Sequence, residues 1–266
     1  MTLDEKYTQL LDSLRGMGRV AVAYSAGVDS TFLLAAAHEA LGENALALTA
    51  VTAAIPQREV KEAVDFCAQL GVRHRLVEVD ALAVPAFREN APDRCYHCKK
   101  YIFSALWDAA RAEGCERLAE GSNLDDDLDY RPGHRAILEL GVESPLHAAA
   151  LTKAEIRALS KRMGLLTATK PSFACLASRV PYGEEITAEK LRRIDEAEQL
   201  LLQRGFSQFR VRSHGDLARI EVLPAEQEKL FALRAEIHEA LKALGFAYVA
   251  MDLRGFRSGS MNETLK

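Results

Sequence analysis

The 266-residue sequence predicts an α/β protein, with a doubly wound parallel sheet followed by a second, smaller α+β domain. Three observations carry that expectation. Up to about residue 170, short apolar runs alternate with helix-length segments, the order that builds parallel sheets through crossover helices. After residue 187 the order becomes helix, strand, strand, helix, strand. Finally, Arg19-Val20-Ala21-Val22-Ala23 runs through Tyr24-Ser25-Ala26-Gly27-Val28-Asp29-Ser30 into Thr31-Phe32-Leu33-Leu34-Ala35-Ala36-Ala37. That is a buried strand, a tight serine–glycine loop and a helix of strong formers.

The remaining elements follow in order. Residues 44–51 form a second buried strand, and Pro56 opens a helix that carries Val60, Ala63, Val64, Cys67 and Leu70 before stopping at Gly71. Residues 73–79 alternate polar and apolar as a third strand. A helix spans about residues 99–113, and residues 116–120 are a fourth strand that leaves through Gly121-Ser122-Asn123. Thr152-Lys153-Ala154-Glu155 is a capping box ahead of Ile156, Leu159 and Met163. The irregular stretch 169–185, with Pro171 and Pro181, is the linker, so residues 1–170 form the sheet domain and 171–266 the linker plus the small domain. There, an amphipathic helix over 188–204 precedes paired strands at 206–212 and 217–223. A helix from Pro224 to about Leu244 and a strand over 246–253 complete the chain.

Composition excludes several classes. With 48% hydrophobic and 27% charged residues, the chain has an ordinary globular balance. No run is apolar over the roughly 18 residues a membrane span needs, and no basic segment precedes an apolar stretch as in a signal peptide. Five cysteines are an odd set that suits a reducing cytoplasm better than a disulfide framework. The net charge of −4 argues against a dedicated nucleic-acid binder.

The serine–glycine loop carries the first chemistry. Backbone N–H groups and the dipole at a helix N-terminus attract phosphate, and Gly27 lacks the Cβ that would block close approach. Ser25 and Ser30 add hydroxyls, Val28 and its neighbours supply N–H groups, and Asp29 suits a Mg²⁺ bridging phosphate oxygens. No Gly-Lys-[Ser/Thr] follows, so this is not a Walker A loop. Gly121 and Asn123 leave the fourth strand toward the same nucleotide. Asp125 and Asp126 beside them are either Mg²⁺ ligands, with Asp126 the tentative one, or turn caps.

A second signal lies in the linker. Cys175 stands between Lys170 and Arg179 in a loop, where a thiolate is favoured over an inert core thiol. Cys95-Tyr96-His97-Cys98 lacks the second Cys-x-x-Cys of a structural zinc site. Cys67 and Cys115 read as core. Basic residues gather in the small domain. Arg210 and Arg212 share one strand face, as a phosphate site or a solvated edge, and Arg257-Ser258-Gly259-Ser260 suits a phosphate nest.

The loop resembles the SGGxDS loop of the N-type ATP pyrophosphatases (PP-loop proteins), with Ala26 in place of the first glycine. Together with Cys175-Leu176-Ala177-Ser178-Arg179 and Arg254-Gly255-Phe256-Arg257-Ser258-Gly259-Ser260-Met261-Asn262, it resembles the LarE family of ATP-dependent sulfur transferases over nearly the whole chain. That resemblance implies a PP-loop sheet domain, ATP and Mg²⁺, and a small nucleotide substrate, a pyridinium biscarboxylic acid mononucleotide. It implies adenylation of a carboxylate, release of pyrophosphate, and Cys175 as the nucleophile whose sulfur is surrendered. Ser178, Arg179, Arg210, Arg212, Arg257, Ser258 and Ser260 are then the expected substrate and phosphate contacts. Some relatives carry a [4Fe–4S] cluster, for which Cys95, Cys98 and Cys175 would be the ligands. The resemblance also implies a homo-oligomer in contact with other proteins of nickel-pincer cofactor synthesis. Competing readings are a tRNA thiolase, an ATP-dependent amide ligase and a nucleotide-sensing module.

Overall fold

Thr2 and Glu5 close a reciprocal capping box that opens α1 (Leu3–Met17), a helix absent from the sequence reading. It buries Leu10, Leu11 and Leu14. The computed structural model describes residues 1–128, 133–171, 174–257 and 259–265. After α1 come β1 (Val20–Ala23), α2 (Val28–Leu41), β2 (Ala45–Val51), α3 (Gln57–Leu70) and β3 (Arg73–Glu78). Then follow α4 (Pro85–Arg88), α5 (Arg94–Ala112), β4 (Arg117–Ala119), α6 (His134–Glu139), α7 (Pro145–Ala148) and α8 (Lys153–Arg162). The chain continues with α9 (Ala188–Gln203), β5 (Phe209–His214), β6 (Leu217–Val222), α10 (Gln227–Ala232), α11 (Arg234–Ala243) and β7 (Tyr248–Met251).

Residues 1–80 with 95–173 make one unit, and residues 81–94 with 174–266 make another. The first holds a parallel sheet in the order β3-β2-β1-β4. Successive residues of a strand point to opposite faces, so the two cores divide by parity. Val20, Val22, Ala45 and Ala47 pack with α1, α2, α3 and α8, whereas Ala21, Leu46 and Leu48 pack with α5 and α6. The sheet is therefore doubly wound, as the sequence predicts. Its order reverses between β1 and β4, and ligands of such sheets bind beyond the strand ends at that point. The loops leaving those two strands are the serine–glycine loop and Gly121-Ser122-Asn123.

The second unit carries β5-β6-β7, with β5 antiparallel and β7 parallel to β6. Its core includes Leu191, Ile194, Phe206, Phe209, Ile237 and Phe246. This is the α+β order expected, except that the chain after Pro224 divides at Leu233 into α10 and α11. Residues 81–94, which sequence continuity assigns to the sheet domain, pack instead with this unit. Asn90, fully buried at φ 58°, donates through Nδ2 to the carbonyls of Val180 at 3.2 Å and Pro181 at 2.6 Å. The Arg94 guanidinium lies 4.2 Å over the Tyr182 ring. A further difference is the start of α5. It begins at Arg94 rather than near Lys99, because no breaker follows Pro92, and so Cys95 and Cys98 lie on its first turns. No helix among the described residues is long and apolar enough to cross a membrane.

Candidate functional site

In the first unit, Gly27 is the N-cap of α2 and contributes no side-chain cap. The N–H groups of the first turn, Val28, Asp29 and Ser30, therefore lack intrahelical acceptors and point out of the helix end as anion donors. The loop before them is preset. The Ser30 hydroxyl donates to Gly27 O at 3.3 Å and accepts the Ser25 N–H at 3.3 Å, and the two hydroxyls are 3.1 Å apart. Ala26 holds φ 54°, a left-handed conformation that costs a residue with Cβ roughly 1–2 kcal/mol. Lys170 reinforces the turn. Its Nζ donates to Ala26 O at 2.9 Å and pairs with Glu62, while Arg157 of α8 donates to Lys170 O at 3.0 Å.

Asp29 sits at the centre of this arrangement. Its Oδ2 pairs with Lys153 Nζ, the first residue of α8, while its Oδ1 is buried and accepts no hydrogen bond among the described residues. Burial raises its pKa, Lys153 and Arg157 lower it, and the charge of Asp126 raises it further. Asp126 is itself anchored, its Oδ2 accepting the Asn123 N–H at 3.0 Å. Asp29, with its buried unused oxygen, and Asp126 are the carboxylates that could hold a hard divalent cation. When bound there, such an ion would neutralise the charge of a phosphate at the helix end.

Gly121 closes the site from β4. A Cβ at this position would lie 3.0 Å from Ser30 N and 3.3 Å from Asp29 Cβ. The obstructing atoms belong to a helix start, which cannot swing aside like a side-chain end. Gly121→Ala is therefore expected to push the loop off its donors, weakening ATP binding about tenfold or more at a stability cost of about 1–3 kcal/mol. Calorimetric titration with ATP and a thermal melt check both numbers. Asn123 lies beside it, buried, with Oδ1 accepting the Asp125 N–H at 3.0 Å.

In the second unit, Cys175 is exposed at the head of a short turn, Leu176–Arg179. Arg179, expected to meet substrate, has a fully buried side chain paired with Glu198, with Nε–Oε1 at 2.8 Å and Nη2–Oε2 at 2.9 Å. Its Nη1 donates to Cys175 O at 3.1 Å, to Ser178 Oγ at 2.9 Å and to Ala174 O. Arg212 donates to Ser178 O at 3.0 Å, to Glu221 at 2.8 Å and to Ser260 Oγ at 3.0 Å. Buried arginines thus hold the cysteine turn from beneath. Arg210 and Arg212 are 6% and 4% exposed, which removes the solvated-edge reading. Burial pushes the Arg210 pKa down to about 9, helped by the charges of Arg179 and Arg212 and opposed by Glu198 and Glu221. Arg179, Arg210 and Arg212 thus form a buried cluster held against Glu198 and Glu221. Arg257 lies 3.5 Å from Asp252, and the Ser260 hydroxyl donates to Glu221 at 3.1 Å. Ser258 lies outside the described residues.

Cys95 is exposed and Cys98 half-buried, and the two sit three residues apart in the first unit. Among the described residues no three His, Cys, Asp or Glu side chains gather as a metal-holding group. Cys67 and Cys115 are core thiols, as expected, and burial pushes Cys67 up to about 12. Lys153, Glu62 and Arg157 are site residues that the sequence reading missed. Lys153 had one signal: a lysine at the first position of a helix opposes the macrodipole.

No family model matches the chain. It is 41% identical over 266 residues to an uncharacterized protein of Synechocystis, covering 99% of both chains. It is 36% identical over 265 residues to the pyridinium-3,5-bisthiocarboxylic acid mononucleotide synthase of Lactiplantibacillus plantarum, covering 99% of this chain and 96% of that one. An NH₃-dependent NAD⁺ synthetase of Wolinella succinogenes matches 46% of this chain at 33% identity.

Proposed function

This chain belongs to the LarE family within the PP-loop ATP pyrophosphatases and is an ATP-dependent enzyme. From that premise we propose that it converts a carboxylate of pyridinium-3,5-biscarboxylic acid mononucleotide into a thiocarboxylate, in synthesis of a nickel-pincer nucleotide, with sulfur from Cys175. A carboxylate oxygen attacks the α-phosphorus of ATP, and pyrophosphate leaves into the N–H groups of the serine–glycine loop. The Cys175 thiolate then attacks the acyl carbon and AMP departs, leaving a thioester. Removal of the Cys175 Cα proton forms the Cα–Cβ double bond as the Cβ–S bond breaks. Sulfur stays on the substrate and dehydroalanine remains in the chain. Each chain surrenders one sulfur, so a bisthiocarboxylate consumes two chains.

The observation that carries this reading is the exposed Cys175 on a turn pinned by Arg179 and Arg212, beside guanidiniums suited to a phosphate and carboxylates. Arg210, Arg212 and Arg257 are the proposed substrate contacts, with Arg179 positioning the turn. A second reading is the cluster that the resemblance allows, with sulfide delivered from it; exposed Cys95 and half-buried Cys98 stand three residues apart on α5. Intact-protein mass, with iron and sulfide content, after anaerobic turnover with ATP, Mg²⁺ and the dicarboxylate nucleotide tests both. Loss of the mass of H₂S at Cys175 without iron is the expected result. Unchanged mass with stoichiometric iron and repeated turnover would replace it with the cluster reading. No thiocarboxylate at all would sink sulfur transfer.

A further inference from the structure

We propose that the outer edge of β7 is a self-association surface, on which two copies of this chain pair β7 with β7, antiparallel, about a two-fold axis at Ala250. The surface lies wholly in the second unit and draws on none of the sulfur chemistry.

The edge is open. Among the described residues β7 pairs with β6 alone and ends its sheet. The Tyr248 and Asp252 N–H groups donate to Asp216 O and Ile220 O. Main-chain groups alternate along a strand, so the N–H and C=O of Val249 and Met251 point away from the sheet. Natural edges are guarded by lysine, proline, bulges or a covering element. Tyr248-Val249-Ala250-Met251 carries no charge and no proline, and apolar surface gathers around it. Tyr248 is 71% exposed, Leu253 86%, and Phe231, near the end of α10, 61%. A cavity of about 480 Å³ opens beside the strand, with Phe231, Arg234, Ala235, Glu239 and Val249 in its lining.

Self-complementarity selects a second copy as the occupant. A two-fold axis perpendicular to the sheet keeps every side chain on its own face, so the axis must pass at a residue and not between two. With the axis at Ala250, Val249 of each copy lies opposite Met251 of the other. Those two pairs exchange four N–H···O bonds and use every outward main-chain group of the edge. Ala250 then faces its own counterpart in a non-hydrogen-bonded pair, where the Cα atoms approach to about 4.5 Å, a spacing that suits a small side chain. An axis at Val249 would instead set Met251 opposite Ala247, whose N–H is already given to Asp216 O. Arg234 and Glu239 line the cavity with opposite charges on one helix, as in a patch that complements its own copy. Ala250 is level with Arg219 and, through it, with Arg212. The same register sets the partner's Tyr248 opposite Asp252, the carboxylate that holds Arg219 and Arg257. Pairing would therefore extend the guanidinium face with an aromatic ring from the second copy.

Sedimentation equilibrium of the full chain at micromolar concentration, with circular dichroism to confirm folding, tests the surface. The wild-type chain should sediment as a dimer or an even multiple of one. Ala250→Lys sets two ammonium groups face to face on the axis and should halve that mass. Val249→Pro, which deletes two of the four bonds without touching the β6 ladder, serves if the lysine variant does not fold. Thiol cross-linking reads the register. Diamide takes two electrons and two protons from a thiol pair, its N=N bond being reduced to a hydrazine. Under it, Ala250→Cys should give a disulfide-linked dimer with the bridge mapped to position 250. Tyr248→Cys should not link to itself, because two such positions stand roughly 13 Å apart along the strands, beyond the reach of a disulfide. The wild-type chain, with its five cysteines, sets the background. A monomeric wild-type chain would overturn the proposal and leave the edge to a strand of another protein. Unchanged mass in folded Ala250→Lys, or equal cross-linking at 248 and 250, would overturn it as well.

Discussion

Cys175→Ser should abolish thiocarboxylate formation while leaving ATP-dependent pyrophosphate release on the dicarboxylate nucleotide intact. The two halves of the reaction draw on different residues. Adenylation needs the phosphate donors of Val28–Ser30, the carboxylates of Asp29 and Asp126, and the approach permitted by Gly121. These belong to one unit and Cys175 to the other. Thiolation needs a sulfur atom, and a serine hydroxyl has none to give, so the loss is complete rather than partial. The turn itself should survive the change, because Arg179 and Arg212 grip the main-chain carbonyls of Ala174, Cys175 and Ser178. Pyrophosphate release and product mass, followed in the same tube, check both halves. Cys95→Ser and Cys98→Ser sharpen the result. With Cys175 as donor each retains one turnover, and with a cluster each loses it. Loss of pyrophosphate release in Cys175→Ser would mean that the thiol takes part before adenylation and would overturn the order of steps.

How far the sequence discloses this arrangement depends on how local each signal is. The strand, serine loop and helix over residues 19–37 are contiguous, so their period and composition suffice to identify both the elements and the anion site. The capping box at Thr152 and Glu155 is equally local. The matching box at Thr2 and Glu5 was just as legible, yet no strand precedes it to raise the expectation of a helix. The arginines are a different case. Nothing near Arg179 in sequence announces that Glu198, a turn and a helix away, neutralises it in the interior. Arg212 is opposite Arg219 across the β5–β6 ladder, a clash of like charge resolved by Glu221, which sits within 3.2 Å of both. Burial of a guanidinium depends on a distant carboxylate arriving, and local pattern does not carry that. Lys170 shows the same limit. Its neighbourhood to Cys175 in sequence suggests an electrostatic effect on the thiol, whereas its ammonium is engaged with Ala26 O and Glu62.

The buried pair gives the largest stability effect. Arg179→Met should destabilise the chain by about 3–5 kcal/mol, lowering the unfolding midpoint on the order of 10 °C, because it strands Glu198 as an uncompensated charge. Both side chains are fully buried. Burial pushes the Glu198 pKa up, and the Arg179 charge and hydrogen bonds more than offset it, so the folded carboxyl lies below its ordinary value. A carboxyl depressed on folding contributes stability above its unfolded pKa of about 4.3, and that contribution is lost as pH falls through the folded value. In Arg179→Met the sign reverses. Glu198, buried without its main cation, titrates above the unfolded value, so the folded state takes up a proton first and the deficit shrinks as pH falls from 7 toward 4. Thermal melts across that range check the convergence. Pairing Arg179→Met with Glu198→Leu should be less costly than either change alone, since neither member of the pair is left without the other, the remaining cost being the counter-charge Arg210 and the acceptor the Val211 N–H then lose. The double variant would still lose thiolation, because the guanidinium that ties the carbonyls of Ala174 and Cys175 together is gone. Stability restored without activity is the signature of a residue that both balances a buried charge and positions the reacting turn. Full recovery of activity in the double variant would reduce Arg179 to the first of those roles.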